Sequence, residues 1–463
     1  MSHVRDFGAV GDGQADDTDA IVHAYESGDG VLQFGAGSYR VTRSLKFDLA
    51  KGKRLAIVGD GGTTKLLMAA AGPLFDLSGS HGKTAAPSDF HDDVWRHQRM
   101  PTISGLEIEG AHPEADGIRI VGIMQPTITG VLIRRVRHGI HIRDRARNVL
   151  ISDCHIYHNT GCGIFLDRVN LHQTNLVGNH ISYNRLGGVR IENSEIRNLQ
   201  ITGNDMEYNN NAQFRVPNAD DVPTAEIFID CGENGTVREM TISGNTLQAT
   251  YSPRGANIYI AGADTPEQQR AGMCSITGNL IGSQAVNVHL KSCRGVVLEG
   301  NYIYSGHRRN VLIESSRNIV IGSNCLGHNP DYKELELCTG IRLVDCSFVA
   351  MTGLQIQDAQ AGQHTVKEAV PVERKALVEL VHCRQVNLTG VQIFEGSPQS
   401  LHLEDCDNTV IAGCTILDTR EKPQTEHSIH WTGKTQGSLI ANCRLNRPLK
   451  LPENVVRNGL VEG

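Results

Sequence analysis

Three carboxylates recur at one place in a repeat. Asp167, Glu192 and Asp230 close the segments GIFLD (163–167), GVRIE (188–192) and EIFID (226–230). Apolar and polar residues alternate in each, the period of a strand that buries one face. Ile164 and Leu166 then point into a core, and Phe165 and Asp167 point to solvent. Extending the comparison along the chain gives two outward columns. One reads Arg143, Asp167, Glu192, Asp230, Ala261, Lys291, Glu314; its neighbour reads His141, Phe165, Arg190, Phe228, Tyr259, His289, Leu312. Strands of successive repeats stack about 4.8 Å apart, so three carboxylates in line repel one another. Repulsion of this kind raises at least one carboxyl pKa, as a general acid working near neutral pH requires. Two such groups can cleave or transfer a glycosidic bond: one protonates the leaving oxygen, the other attacks or activates water. Asp230 and Glu192 are the pair expected here, with Asp167 as a third acid. Arg190, Lys291 and Arg143 are placed to hold hydroxyls or anionic groups. Phe165, Phe228 and Tyr259, beside His141 and His289, offer rings to sugar faces.

The elements that must position this face come from the same repeat. Between about Arg147 and Arg317 one unit recurs about every 23 to 25 residues, with two longer exceptions. Each unit is a β-rich run, then Gly-Asn, then a second run; the later second runs are NIYIA (257–261), NVHLK (287–291) and NVLIE (310–314). A fixed period in this range marks a solenoid, because one unit cannot bury its own apolar face. Strands this short, joined in the same sense, stack as an all-β, single-stranded parallel β-helix. The asparagines Asn179, Asn204, Asn245, Asn279, Asn301 and, after Ser323, Asn324 suit an inward amide ladder at a bend. Their role is structural.

Loop lengths favour one stretch of the solenoid. The coil leading into Glu226–Asp230 adds NNNAQFRVPNADDVPT, and the connections after Asp230 and Ala261 are also long. Insertions on a solenoid map to its binding face, so a walled groove is expected beside Asp230 and Tyr259. A second insertion, Asp358–Arg374, has no comparable acid cluster and suits contacts between copies of the chain. The segment APSDFHDDVWRHQRM before Pro101 is charged and non-periodic and reads as a surface loop. Its Trp95 either stacks on a sugar or packs its own loop. His155 and His180 fall at equivalent places in successive coils, and stacked imidazoles account for them better than a metal site.

Composition narrows the class. The net charge of −7 lacks the basic excess of a nucleic-acid binder. No apolar run of 18 residues appears, so no membrane span is expected. The twelve cysteines form no CxxC pair and follow the repeat instead. Cys154, Cys414 and Cys443 take the ladder position, and Cys293, Cys346, Cys383 and Cys406 each follow a strand by the same offset. Buried free thiols are the expectation. With no apolar leader in MSHVRDFGAV, they point to the cytoplasm.

The N-terminal stretch carries a resemblance. DFGAVGDG, then DDT-x-AI, then GDGVLQFGAGSYRV resembles the opening signature of the pectate-lyase/polygalacturonase superfamily of right-handed β-helix proteins. The resemblance implies a right-handed coil and a carbohydrate-related role. It supplies no active site: the NTD, paired DD, GHG and RIK motifs of inverting polygalacturonases do not occur in that order. Asp220-Asp221 sits in a loop, and Gly306-His307 lacks the second glycine. The chain is thus expected to be one domain, with a strand–helix–strand cap over 1–45, coils over 46–448 and a tail over 449–463. Asp16, Asp17 and Thr18 supply N-cap chemistry for a helix whose apolar face is Ala20, Ile21, Ala24 and Tyr25. The leading function is a glycoside hydrolase or transglycosidase that needs no cofactor. The alternatives are a lyase eliminating across a uronate, with His289, Lys291 or an arginine as base and calcium on the acids; an intracellular fructan-processing transferase; and a non-catalytic glycan-binding coil. The partner is an oligo- or polysaccharide, and a homo-oligomer such as a trimer is compatible with the sequence.

Overall fold

The computed structural model describes residues 2–82, 87–89, 91–210, 222–262, 268–329, 340–358 and 374–462. The fold is a right-handed parallel β-helix with a short N-terminal capping helix. It divides into two compact units, Met1–Arg215 with Thr224–Met240, and Val216–Pro223 with Thr241–Gly463.

In the first unit the strands Ile140–Ser152, Cys162–Val177, Gly187–Glu192 and Thr224–Asp230 stack in parallel with the register the repeat implies. Arg143 pairs with Asp167, Asp167 with Glu192, and Glu192 with Asp230. Ile164, Leu166, Val189, Ile191, Ile227 and Ile229 are fully buried, which is the apolar face that one coil alone cannot cover. Left-handed residues bend or end these strands: Arg168 (φ 45°), within Cys162–Val177, follows Asp167, and Asn193 (φ 48°) follows Glu192 at the end of its strand. The glycine of each Gly-Asn pair is also left-handed, with φ 67° at Gly178 and 66° at Gly203, where a side chain would be strained.

The asparagine ladder forms as expected. Asn179 Nδ2 donates to Asn204 Oδ1 at 2.9 Å, and Cys154 N donates to Asn179 Oδ1 at 3.0 Å, placing that cysteine on the ladder. A second ladder, not read from the sequence, runs through Asn159, Asn184 and Asn209, with Nδ2-to-Oδ1 distances of 2.8 and 2.7 Å. Its signal was there in the 25-residue spacing of these residues.

The second unit repeats the plan. Ladders run Asn245–Asn279–Asn301–Asn324 and Asn257–Asn287–Asn310. Residues 449–462 do not leave the pattern: Leu449–Lys450, Val456–Asn458 and Val461–Glu462 pair in parallel with the preceding strands. Short strands there occupy the backbone groups an open edge would expose. Asp358 and Arg374 form a buried ion pair at the base of the second insertion, whose residues 359–373 lie outside the described residues.

The capping helix spans Thr18–Ser27 and buries Ile21 and Ala24. Its N-terminal chemistry differs from expectation in one respect. Asp16, not Asp17, accepts the Thr18 N–H at 3.1 Å. Asp17 turns back to the DFGAVGDG loop and accepts from Val10 N at 2.6 Å and Gly11 N at 3.2 Å.

Candidate functional site

The first unit carries the acid column, and it is more enclosed than the alternation implied. Asp167 is only 4% exposed. The left-handed turn at Arg168 folds that guanidinium back onto Asp167 Oδ2 at 2.7 Å, and His141 Nε2 lies 3.4 Å from the same oxygen. Glu192 Oε1 accepts from Arg190 Nε at 2.7 Å. Arg190 and Phe228 are 9% and 2% exposed, with the guanidinium 3.9 Å above the Phe228 ring. Asp230 is half-buried and accepts the Gly232 N–H at 2.9 Å. Arg143 turns to Asp144 at 3.2 Å. The stacked carboxylates are therefore met by cations and backbone donors, which offset the repulsion anticipated between them.

His141 lies flat on Phe165, with ring centroids 5.1 Å apart and an interplanar angle of 13°. Desolvation pulls the His141 pKa down against the opposing pull of Asp167. His138, its ring 5.2 Å from Phe165 and 5.6 Å from His141, is driven to about 4 by burial and accepts the Cys162 N–H on Nδ1 at 3.2 Å. His155 and His180 stack at 5.0 Å and 5°, as their spacing suggested. The Arg99 guanidinium lies 4.3 Å from the Trp95 ring, so the loop supplies a partner for its own tryptophan.

Two described carboxyls, Glu207 and Glu226, have raised pKa values, and neither was singled out from the sequence. Glu226 is fully buried, points inward, and accepts from Asn209 N at 2.9 Å and from Asn209 Nδ2. It meets the end of the second asparagine ladder, and burial pushes its pKa up to about 8. The sign that could have found it is position: EIFID begins with glutamate where NIYIA, NVHLK and NVLIE begin with asparagine.

Tyr259, His289 and Lys291 belong to the second unit. Tyr259 pairs with His289, and His289 with Leu312; Ala261 pairs with Lys291, and Lys291 with Glu314. His289 Nε2 and Glu314 Oε2 are 2.7 Å apart, and the Tyr259 ring meets the imidazole edge-on at 5.2 Å. The hydrogen bond from His289 is the leading cause that holds Glu314 below the usual glutamate range, with Lys291 and Arg342 adding to it. A cavity of about 330 Å³ opens over Tyr259, His289 and Leu312, lined also by Arg254, Arg308 and Arg309. Arg309 is committed to a buried pair with Glu379 at 3.0 Å. Arg308 Nε is buried and makes no hydrogen bond. Glu314 and the arginines were not given roles from the sequence, although Glu314 lay in the acid column. Most of the NNNAQFRVPNADDVPT insertion, residues 211–221, lies outside the described residues, as does the Asp220-Asp221 pair.

The family model for a right-handed β-helix region matches residues 94–223 and 225–384, well over half of the chain. The chain belongs to this right-handed β-helix family. A second model, rhamnogalacturonase A/epimerase, pectate lyase-like, matches residues 1–87. That segment contains the DFGAVGDG stretch and places this β-helix in the pectate-lyase/polygalacturonase superfamily. Among solved structures, the pre-mature gene product 12 of bacteriophage phi29 is 13% identical with a TM-score of 0.51, over 95% of this chain and 56% of that one. The mannuronan C-5 epimerase AlgE6 A-module of Azotobacter vinelandii is 16% identical, covering 100% and 99%, with a TM-score of 0.39. The GH87 α-1,3-glucanase catalytic unit of Streptomyces thermodiastaticus is 13% identical, covering 99% and 68%, with a TM-score of 0.35. At 13% identity the likeness to the phi29 protein is one of fold. No curated protein matches this β-helix.

Proposed function

We propose that the protein acts on a uronate-containing glycan, taking the proton next to the sugar carboxylate and expelling the glycosidic oxygen by β-elimination in the cavity of the second unit. The observation that carries this reading is the 2.7 Å contact that Glu314 makes with His289, whose ring lines an arginine-rich cavity. With Glu314 as the carboxylate that accepts from Nε2–H, the lone pair sits on Nδ1, and the ring is oriented as a base. Arg308 answers a sugar carboxylate and stabilises the negative charge that grows on it as the proton leaves. Tyr259 stands beside the imidazole as a donor to the departing oxygen. Electrons from the broken C–H bond form the new double bond, and the C–O bond breaks with its pair. The rhamnogalacturonase/epimerase, pectate lyase-like match over 1–87 supports a uronate substrate. The test is incubation with polyuronates, with and without chelator, while following ultraviolet absorbance of the unsaturated product. Chain cleavage with no such absorbance would overturn the elimination.

A second reading keeps the acids of the first unit. The register that lines up Asp167, Glu192 and Asp230 on adjacent strands favours hydrolysis or transfer at a glycosidic bond, with Asp230 and Glu192 as the pair. New reducing ends without absorbance, lost in Asp230→Asn and Glu192→Gln, are the outcome this reading requires.

A further inference from the structure

Four strands along the same face of the second unit lies a cavity that the reaction above does not use. The register runs His289–Leu312–Arg342–Glu379–His402–His430. His289 and His402 are thus separated by about 19 Å at the usual strand spacing, a length several sugar residues span. The cavity measures about 450 Å³ and is lined by Lys375, Gln399, His402, Glu404, His430 and Thr432 among others.

His402 is 3% exposed, yet neither of its ring nitrogens makes a hydrogen bond. Its nearest acceptor, Glu404 Oε2, is 3.6 Å from Nε2, beyond bonding distance. His430 Nε2 is likewise buried and unbonded, and the two rings lie 5.1 Å apart. Buried polar groups are ordinarily satisfied, so two adjacent imidazoles left open over a cavity mark a place where a ligand supplies the missing partners.

The other side chains say which ligand. Lys375 is held by Glu404 at 2.5 Å, and the Gln399 amide is spent on Glu426 and His427. Desolvation pulls both His402 and His430 below the usual histidine value, leaving neutral rings with one donor and one acceptor each. Neutral rings bring no charge to hold an anion, and the Lys375 ammonium is already paired with Glu404. A sugar hydroxyl donates and accepts, and a pair of neighbouring hydroxyls fits a pair of neutral imidazoles. No three of the described His, Cys, Asp and Glu side chains are disposed to hold a metal ion.

We infer that the His402–His430 cavity is a sugar-binding subsite, engaging the hydroxyls of a glycan whose reacting residue lies at His289. The inference rests on the glycan reading of the second unit and predicts a dependence on chain length. The test is calorimetric titration of tri- and octasaccharides of galacturonate, mannuronate and glucose into the wild type, His430→Ala, His402→Gln and His289→Ala. The expected result is at least tenfold weaker octasaccharide binding in His430→Ala, with trisaccharide binding unchanged. His402→Gln, which keeps a donor and an acceptor, retains part of the affinity. In His289→Ala the octasaccharide still binds measurably through the distal cavity. Octasaccharide affinity equal to wild type in His430→Ala overturns the inference, as does an absence of octasaccharide binding by the wild type. Product formation that survives such a result leaves the elimination standing. Binding that depends on His430 without any product keeps the subsite and removes the reaction.

Discussion

At the scale of single residues, the chemistry turns on what each charged group touches. His289→Gln should cut turnover by about 10²–10⁴-fold, the usual weight of a positioned general base, with folding intact because the ring stands on the cavity wall. Glu314→Gln should lower turnover less and leave substrate affinity nearly unchanged, since it orients the base without touching sugar. Initial rates on a polyuronate, split into kcat and KM, check both. Glu226 gives a pH prediction. Its folded pKa, about 8, lies above its ordinary value of 4.5. The stability it contributes is fully present below about pH 4.5 and is lost as pH rises towards 8. Glu226→Gln keeps the acceptor for Asn209 and removes the titration. The melting temperature of the wild type should therefore fall from pH 5 to pH 8 by several degrees more than that of the variant. Parallel curves for the two proteins would show that Glu226 does not titrate as described.

At the scale of the element, the coil is held by amide ladders as much as by its apolar core. Asn279 donates to Asn301 Oδ1 at 2.9 Å and to Ile242 O at 3.0 Å, and accepts from Asn245 N and Nδ2. Asn279→Ala leaves buried donors and acceptors unpaired, at about 1–3 kcal/mol for each, so a loss of about 3 kcal/mol is expected in urea unfolding. The exposed Gln355→Ala, in the second unit, should stay within about 0.5 kcal/mol. Equal midpoints for the two variants would deny the ladder its structural weight. The Gly-Asn ladder was legible because its left-handed bend is made by glycine before five of its asparagines, whereas His158, Tyr183 and Tyr208 make that bend before the second ladder. The second ladder has no such companion, and only its spacing betrayed it.

At the scale of the whole molecule, the thiols report on how the coils are filled. All eleven described cysteines are free, and ten of them are buried. Burial pushes the Cys154 thiol up to about 11 and Cys162 up to about 12, which keeps them unreactive in the folded protein. In the native protein Cys154 and Cys162 should therefore react slowly with a thiol reagent, and the partly exposed Cys325 faster. Denatured, unreduced protein should titrate close to the twelve thiols of the sequence. A count near zero would show that the cysteines are paired in disulfides.

The sequence by itself determined the fold and the register. Period-2 alternation within a unit of fixed length leaves one way to bury the apolar face, and the columns Arg143–Asp167–Glu192–Asp230 and Lys291–Glu314 follow by counting. Contacts along the turn were not countable in that way. The left-handed turn that brings Arg168 onto Asp167, the reach of Arg190 to Glu192, and the inward aim of Glu226 depend on side-chain directions set after the coil closes. So do the cavities at His289 and at His402 and His430. His289 meets Glu314 across strands 25 residues apart in sequence, and His402 meets His430 at a spacing of 28. A column of outward residues names who can be neighbours; only the packed coil decides which carboxylates are enclosed by cations and which histidines are left open to a ligand.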